Sequence, residues 1–170
     1  NSKPTPTLLK GLKYLNDNEH QLPKISIDIG CGQGTDTAEL LKRGWDVLAV
    51  DKESEAEEIV INRLSKFHGK ELTIIVQKME SIIIPKVSLV NASFSLPFCN
   101  PNKFSNLWEE ITTKLSIGGI FCGQLFGLED SWASNKNMTF HHRKSLDALF
   151  NNFRIHFLHE ENSVSKTSSG

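Results

Sequence analysis

The chain has little of several things that mark specialised protein classes. Its 170 residues include three cysteines, two methionines and one tyrosine, and Lys plus Arg total 19 against 20 acidic residues. The number of cysteines is odd, and Cys31, Cys99 and Cys122 lie far apart in the sequence. They predict no disulfide framework, so we expect a reduced, cytoplasmic protein. The balanced charge argues against a nucleic-acid-binding protein. No apolar run approaches the ~20 residues of a membrane span, so we expect no membrane partner.

What is present is a pattern of strands alternating with helices. Strands are predicted at 25–29, 45–50, 72–76, 87–92, 120–126 and 153–158. Helices are predicted at 8–15, from 35 or 36 to 43, and at 53–66, 102–116 and 145–151. Strands joined by helices of about 10 to 15 residues indicate an α/β fold with a mainly parallel sheet. We expect one domain over 1–161 and a disordered or truncated tail over 162–170.

The strongest motif follows the first predicted strand. That strand leads directly into Gly30-Cys31-Gly32-Gln33-Gly34, at the place where open parallel sheets bind their ligands. Glycines there let the backbone turn sharply and let a ligand lie against bare peptide groups. A tight turn without a ligand is the alternative, but three alternating glycines at this position favour a binding loop.

The glycine spacing and two acidic residues narrow the choice of ligand. The third glycine of a dinucleotide fingerprint would fall at Thr35, and no phosphate-binding Gly-Lys-Ser/Thr pattern follows. Asp28, just before the loop, would repel a pyrophosphate but suits an ammonium or sulfonium group. Asp51, at the end of the second strand, can accept hydrogen bonds from both hydroxyls of a ribose. S-adenosylmethionine has a ribose, a positive charge and no phosphate.

This block resembles the glycine-rich first motif of class I S-adenosylmethionine-dependent methyltransferases, and the resemblance extends over residues 22–161. The runs 89–99 and 121–127 also resemble a bacterial subgroup near the tellurite-resistance type. The resemblance implies a three-layer Rossmann-like fold with S-adenosylmethionine as the cofactor. It also implies a set of cofactor-binding residues, which are Asp28, Gly30, Cys31, Gly32, Gly34, Asp51, Lys52, Met79, Glu80, Asn91 and Ala92.

The end of the chain departs from that family pattern. The family's sheet ends in a seventh strand lying antiparallel beside the sixth, whereas residues 163–170 are few and polar. We therefore expect the seventh strand to be missing or altered. The sheet would then have an exposed edge, or a second chain would cover it, so the expected state is a monomer or a homodimer.

Candidates for the acceptor side come from the segments after the fourth and fifth predicted strands. They are Phe94, Cys99, Gln124, Phe126, Asp130 and Trp132. A purely structural role is the competing interpretation for Cys99, Gln124 and Trp132. His141 and His142 are candidates for a general base, because imidazole titrates near neutral pH. Adjacent side chains point apart, so this pair predicts no metal site.

These features predict an S-adenosylmethionine-dependent methyltransferase acting on a small molecule by in-line displacement. The small acceptor follows from the single domain and the absence of a basic groove. One alternative is a non-catalytic S-adenosylmethionine-binding or interaction module. A less favoured one is an NAD(P)-dependent oxidoreductase, which would need the third glycine and a Tyr-x-x-x-Lys pair, whereas the only tyrosine is Tyr14.

Overall fold

The computed structural model describes residues 2–18 and 21–162, so the predicted tail lies outside the described residues except for Asn162. The helices are Pro6–Asp17 (α1), Thr35–Lys42 (α2), Ser54–Arg63 (α3), Phe104–Lys114 (α4) and Leu146–Leu149 (α5). The strands are Ile25–Ile29 (β1), Asp46–Asp51 (β2), Leu72–Val76 (β3), Val87–Ala92 (β4), Leu115–Gly123 (β5), Phe126–Gly127 (β6) and Phe140–His141 (β7). Short 3₁₀ turns lie at Met79–Ser81, Leu96–Phe98 and Arg143–Ser145.

Five strands form a parallel sheet in the order β3-β2-β1-β4-β5. The chain builds outward from β1 to β3 and then returns to the other side of β1 to form β4. The strand order therefore reverses between β1 and β4, which is where such sheets bind ligands, outside the carboxyl ends of the strands. In this pairing Asp28 lies directly opposite Asn91.

Two apolar clusters, one on each face of the sheet, make the fold three layers deep. Helices α1, α2 and α3 pack on one face, and α4 packs on the other. Within β1, Ile27 and Ile29 join the α4 cluster, whereas Asp28 contacts Thr37 of α2 on the opposite face. The period-two pattern of β1 thus turns a carboxylate toward α2, and the predicted three-layer Rossmann-like arrangement is confirmed. Among the described residues, no helix has the length and hydrophobicity that crossing a membrane requires.

The predicted bounds of the fifth strand are wrong. Strand β5 begins at Leu115, which pairs with Val87, and it ends at Gly123. The pairing is irregular between Val87 and Leu89: Val87 pairs with Leu115, whereas Leu89 pairs with Ile120. The extra residues lie on β5 and include Gly118, whose φ is +81°.

The predicted strand at 153–158 is also wrong. This segment crosses the outer side of β5 from one helical layer to the other instead of running along it. Phe153 packs near Trp108 of α4, with ring centroids 5.8 Å apart. Three residues later, His156 stacks on Tyr14 of α1 at 3.8 Å. Aromatic contacts to two different layers place the segment across the edge, and in the described part of the chain no strand joins the sheet beyond β5.

Helix α1 lies unusually close to β5, at Gly11. A Cβ added to Gly11 would lie 2.4 Å from Sγ of Cys122, a side chain that is 2% exposed. A short, buried thiol has little room to move, so glycine at this position allows the approach of α1 to the sheet.

We therefore expect Gly11→Ala to destabilise the protein, by about 1 kcal/mol, although alanine favours an isolated helix by about the same amount. Overpacking against Cys122 outweighs the gain in helix propensity. In a Cys122→Ala background the thiol is gone, and Gly11→Ala should then be stabilising. Urea unfolding of the four proteins measures both effects; a stabilising Gly11→Ala in the wild-type background would contradict this packing.

Candidate active site

The glycine loop, the end of β2 and the end of β4 meet at the carboxyl edge of the sheet. The loop is fixed to β2 by hydrogen bonds from the Gly30 and Cys31 amides to the carbonyl of Val50, at 2.7 and 3.0 Å. Sequence reasoning placed Gly30–Gly34, Asp51 and Asn91 together, and the topology does bring them to this edge.

The three glycines of the loop have different structural roles. A Cβ at Gly30 would lie 2.4 Å from Cβ of Ser95, and one at Gly34 would lie 2.8 Å from a methyl group of Val60. Gly32 has a φ of +52° and nothing within 4 Å of an added Cβ. Gly30 and Gly34 therefore allow close packing within the protein, whereas Gly32 exposes bare backbone to open space.

Asp51 holds the loop and still has unused acceptor capacity. Its Oδ2 accepts a hydrogen bond from the Gly32 amide at 2.9 Å, and its Oδ1 accepts one from the Glu53 amide at 3.0 Å. A carboxylate offers about four acceptor positions, and Asp51 is half-buried. One position on each oxygen is left for a ligand. The adjacent Lys52 is exposed, with its Nζ 3.4 Å from the Glu53 carboxylate.

Asp28 also accepts one hydrogen bond on each oxygen, but it differs from Asp51 in being only 2% exposed, so a ligand has little access to it. Thr37 donates to Oδ2 at 2.6 Å, and Asn91 Nδ2 donates to Oδ1 at 2.9 Å. Burial raises the pKa of Asp28 to about 6, the two hydrogen bonds act against that shift, and the nearby charges of Asp36 and Asp51 add to it. The carboxyl group therefore joins β1 to α2 and β4 from inside the protein.

A second buried carboxylate, Asp36, ties the segment before α1 to the site. Its Oδ1 accepts from the Thr5 amide at 2.8 Å, and its Oδ2 accepts from the hydroxyls of Thr5 and Ser93, each at 2.7 Å. Asn91 Nδ2 also reaches this Oδ2, at 3.0 Å, and so bridges Asp36 and Asp28. The roles of Thr5 and Asp36 were not predicted, because nothing in the local sequence signals a contact that spans 31 residues.

Two of the expected cofactor-binding residues, Met79 and Glu80, lie in the turn Met79–Ser81. Met79 packs against the α4-side cluster, and Glu80 accepts a hydrogen bond from the Asn100 amide at 2.9 Å. The Glu80 carboxylate thereby fixes the loop that follows β4. Ala92, the last residue of β4, is fully buried.

The loop after β4 begins with Phe94, a non-glycine residue at φ +51° that is 56% exposed. Its amide donates to Oε1 of Gln124 at 2.7 Å, and Nε2 of Gln124 donates to the Thr7 hydroxyl at 3.0 Å. Both ends of the Gln124 amide are therefore used within the protein. Gln124 joins the segments after β4 and β5 to the start of α1.

The cysteines are poor nucleophiles in this structure. Cys99 is fully buried, and burial raises the pKa of its thiol to about 12; the same cause raises the pKa of Cys122 to about 12 and that of Cys31 well above its usual range. Because the thiolate is the reactive form, these groups are inert at neutral pH.

The two histidines differ sharply in environment. His141 is half-buried, its ring lies edge-on to Phe104 at 4.7 Å, and its Nε2 is buried with no hydrogen-bond partner. Burial lowers the pKa of His141, so the imidazole is neutral at neutral pH. His142 is exposed. Within residues 2–18 and 21–162, no group of three or more His, Cys, Asp or Glu side chains could hold a metal ion.

The remaining acceptor-side candidates lie between β5 and β7. Phe126 pairs with Phe140 at 6.4 Å between ring centroids. Asp130 accepts a hydrogen bond from the Trp132 amide at 2.8 Å, and Trp132 is 40% exposed. The structure therefore places Trp132 at the surface and Phe126 in a short strand pair.

The raised pKa of Asp28 predicts that the free energy of unfolding depends on pH. A folded-state pKa above the unfolded value means that the native state binds more protons, so this contribution is present at low pH and is lost as pH rises through about 6. From pH 4 to pH 7 the free energy of unfolding should fall by about 2 kcal/mol through this group. Asp28→Asn should remove that fall. Urea unfolding at both pH values tests it, with exposed Asp46→Asn as the control; equal pH dependence in wild type and Asp28→Asn would contradict the burial argument.

The sequence matches the model of one protein family. The family model described as a methyltransferase domain matches residues 27–119, more than half of the chain. A curated relative is the probable cobalt-precorrin-6B C(15)-methyltransferase (decarboxylating) of Methanococcus maripaludis, which is 32% identical over 59 residues, 35% of this chain and 33% of that protein. The chain thus matches about a third of the length of that relative.

Solved structures agree on the fold. TehB from Haemophilus influenzae has a TM-score of 0.68 at 13% identity, covering 84% of this chain and 49% of that one. Magnesium protoporphyrin IX methyltransferase from Synechocystis PCC 6803, solved with bound S-adenosylmethionine, has a TM-score of 0.64 at 14% identity, covering 86% and 66%. At these identities the likeness is one of fold.

Proposed function

The chain belongs to the methyltransferase-domain family, and from that premise we propose that it binds S-adenosylmethionine and transfers the methyl group to a small-molecule acceptor. The observation that carries the proposal is the pairing of Gly32 with Asp51. An open backbone position and a half-buried carboxylate with free acceptor positions lie within one hydrogen bond of each other.

The residues present fit an adenosyl ligand. The two unused acceptor positions of Asp51 suit the two hydroxyls of a ribose. Asp28, Asp36 and Asp51 lie close enough to interact electrostatically, so the site disfavours a pyrophosphate and suits a cationic ligand. Family membership likewise favours methyl transfer over the nicotinamide-dependent oxidoreductase alternative. Residues Gly30, Gly32, Asp51 and Met79 would border the cofactor, with buried Asn91 holding the carboxylates behind them.

When bound, S-adenosylmethionine would supply an electrophilic methyl group to the acceptor's lone pair, with sulfur keeping the electrons of the broken carbon–sulfur bond and the acceptor losing a proton. The protein's task is to hold the acceptor in line and to exclude water. Because the thiols of Cys31 and Cys99 are buried and protonated, they are not candidates for carrying the methyl group, and we propose direct transfer to the acceptor. Neutral His141 is our candidate for receiving the proton when the acceptor needs a base.

The small-molecule acceptor draws support from the named relatives. Cobalt-precorrin-6B and magnesium protoporphyrin IX appear in the names of two of them, and both are small molecules. A module that binds S-adenosylmethionine without turnover is the competing function; it shares the binding site and differs only in methyl transfer.

Calorimetric titration with S-adenosylhomocysteine tests the site. We expect the wild type to bind S-adenosylhomocysteine and to give no heat with NAD. Asp51→Ala should lose about ten-fold or more in affinity, because the charge-assisted hydrogen bonds of the carboxylate are removed. Asp46→Ala is a matched control, since Asp46 is an exposed aspartate at the other end of the same strand.

Two outcomes would contradict the proposal. One is a folded wild-type protein that binds no S-adenosylhomocysteine. The other is an equal loss of affinity in Asp46→Ala and Asp51→Ala. Binding without formation of any methylated product across an acceptor panel would instead favour the non-catalytic module.

A further inference from the structure

Three aromatic side chains are exposed on the loops that follow β4 and β5. Phe94 is 56% exposed, Phe98 is 47% exposed and Trp132 is 40% exposed. Large apolar side chains in water are unfavourable when they recur in one region, so a group of them points to a binding surface. We call these three residues the aromatic group.

The aromatic group is held by the protein and does not arise from loose loops. Phe98 and Trp132 meet edge to face, with ring centroids 5.8 Å apart and planes at 76°. The segment that carries Trp132 is fastened to the segment that carries Phe98 by Thr139, whose amide donates to the Pro97 carbonyl at 2.8 Å and whose hydroxyl donates to the Cys99 carbonyl at 2.7 Å. These two hydrogen bonds therefore hold together the two segments that carry Phe98 and Trp132.

Phe94 connects the group to the proposed cofactor site. The next residue, Ser95, donates to the Ile29 carbonyl at 2.6 Å and contacts Gly30. Phe94 itself adopts a left-handed conformation that costs energy in a residue with a Cβ, and the hydrogen bond to Gln124 holds it there. Phe94 is thus an exposed residue directly preceding the one that contacts Gly30.

Charge around the group selects against anions. Glu129 and Asp130 precede Trp132, and the Asp130 carboxylate lies on the Trp132 amide. The cation–π contacts seen among the described residues involve Phe157 and Phe67, outside this group. The edge-to-face contact between Phe98 and Trp132 covers part of one ring face, and the remaining exposed ring surface can stack on a planar ligand. The carboxylates of Glu129 and Asp130 disfavour an acidic one.

We infer that the methyl acceptor is a planar aromatic molecule without an acidic group, bound by Phe94, Phe98 and Trp132. This inference rests on the proposed function, since it names the acceptor class for the same site. It adds Phe98, which sequence reasoning did not select, and it gives Phe94 and Trp132 a stacking role.

Equilibrium dialysis of the full chain, saturated with S-adenosylhomocysteine, against 2-naphthol tests the inference. The saturated analogue trans-2-decalol has a similar size and the same hydroxyl but no ring face, so it should bind more weakly. Phe98→Leu and Trp132→Leu keep an apolar side chain but remove stacking, and each should weaken naphthol binding about five-fold. Phe157→Leu is the matched control, because Phe157 is 49% exposed and lies against Lys10 of α1.

The affinity for S-adenosylhomocysteine, measured on every variant, separates the two proposals. Naphthol binding that is lost in the two group variants and kept in Phe157→Leu, with unchanged S-adenosylhomocysteine affinity, supports the inference. Equal binding of decalol, an equal loss in Phe157→Leu, or no naphthol binding by a protein that does bind S-adenosylhomocysteine overturns the aromatic acceptor alone. Failure to bind S-adenosylhomocysteine overturns the proposed function, and the inference with it.

Discussion

The amide of Asn91 bridges two buried carboxylates, and the geometry of the site depends on that bridge. Through Asp28 it joins β4 to β1, and through Asp36 it reaches α2 and the segment before α1. Two buried acids so close together would repel each other without donors between them. Loss of the Asn91 amide would leave Oδ1 of buried Asp28 without its donor, which costs more than the hydrogen bond contributes, whereas Asp36 would keep its bonds from Thr5 and Ser93. Four segments far apart in sequence are therefore held in one arrangement.

The same acids divide the site into two chemical regions. Around the glycine loop, carboxylates predominate and one backbone position is open, which suits a cationic ligand with a ribose. Beyond Phe94 the surface is aromatic, which suits an uncharged ring. Gln124 links the regions, because it holds the Phe94 amide and also reaches Thr7 at the start of α1. Donor and acceptor would thus meet at the end of β4.

Local sequence predicted the features that depend on local physics. The alternation in β1 and the glycines after it specify a strand and a turn whatever the rest of the chain does, and 25–29 was found as predicted. The segment 153–158 has the same apolar character, but packing of Phe153 and His156 on different layers prevents a strand. The role of Asp36 could not be predicted either, since its partner Thr5 reaches it only once α1 has packed on the sheet.

We propose that the open backbone at Gly32 and the carboxylate of Asp51 receive an adenosyl ligand. Amide chemical shifts in a ¹⁵N-labelled protein, recorded while S-adenosylhomocysteine is added, test it residue by residue. We expect the largest changes in chemical shift at the amides of Gly32, Gly30 and Gly34. The amides of Gly44 and Gly69, which belong to loops elsewhere in the fold, should change little. Changes centred on Gly44 or Gly69, or none at Gly32, would contradict it.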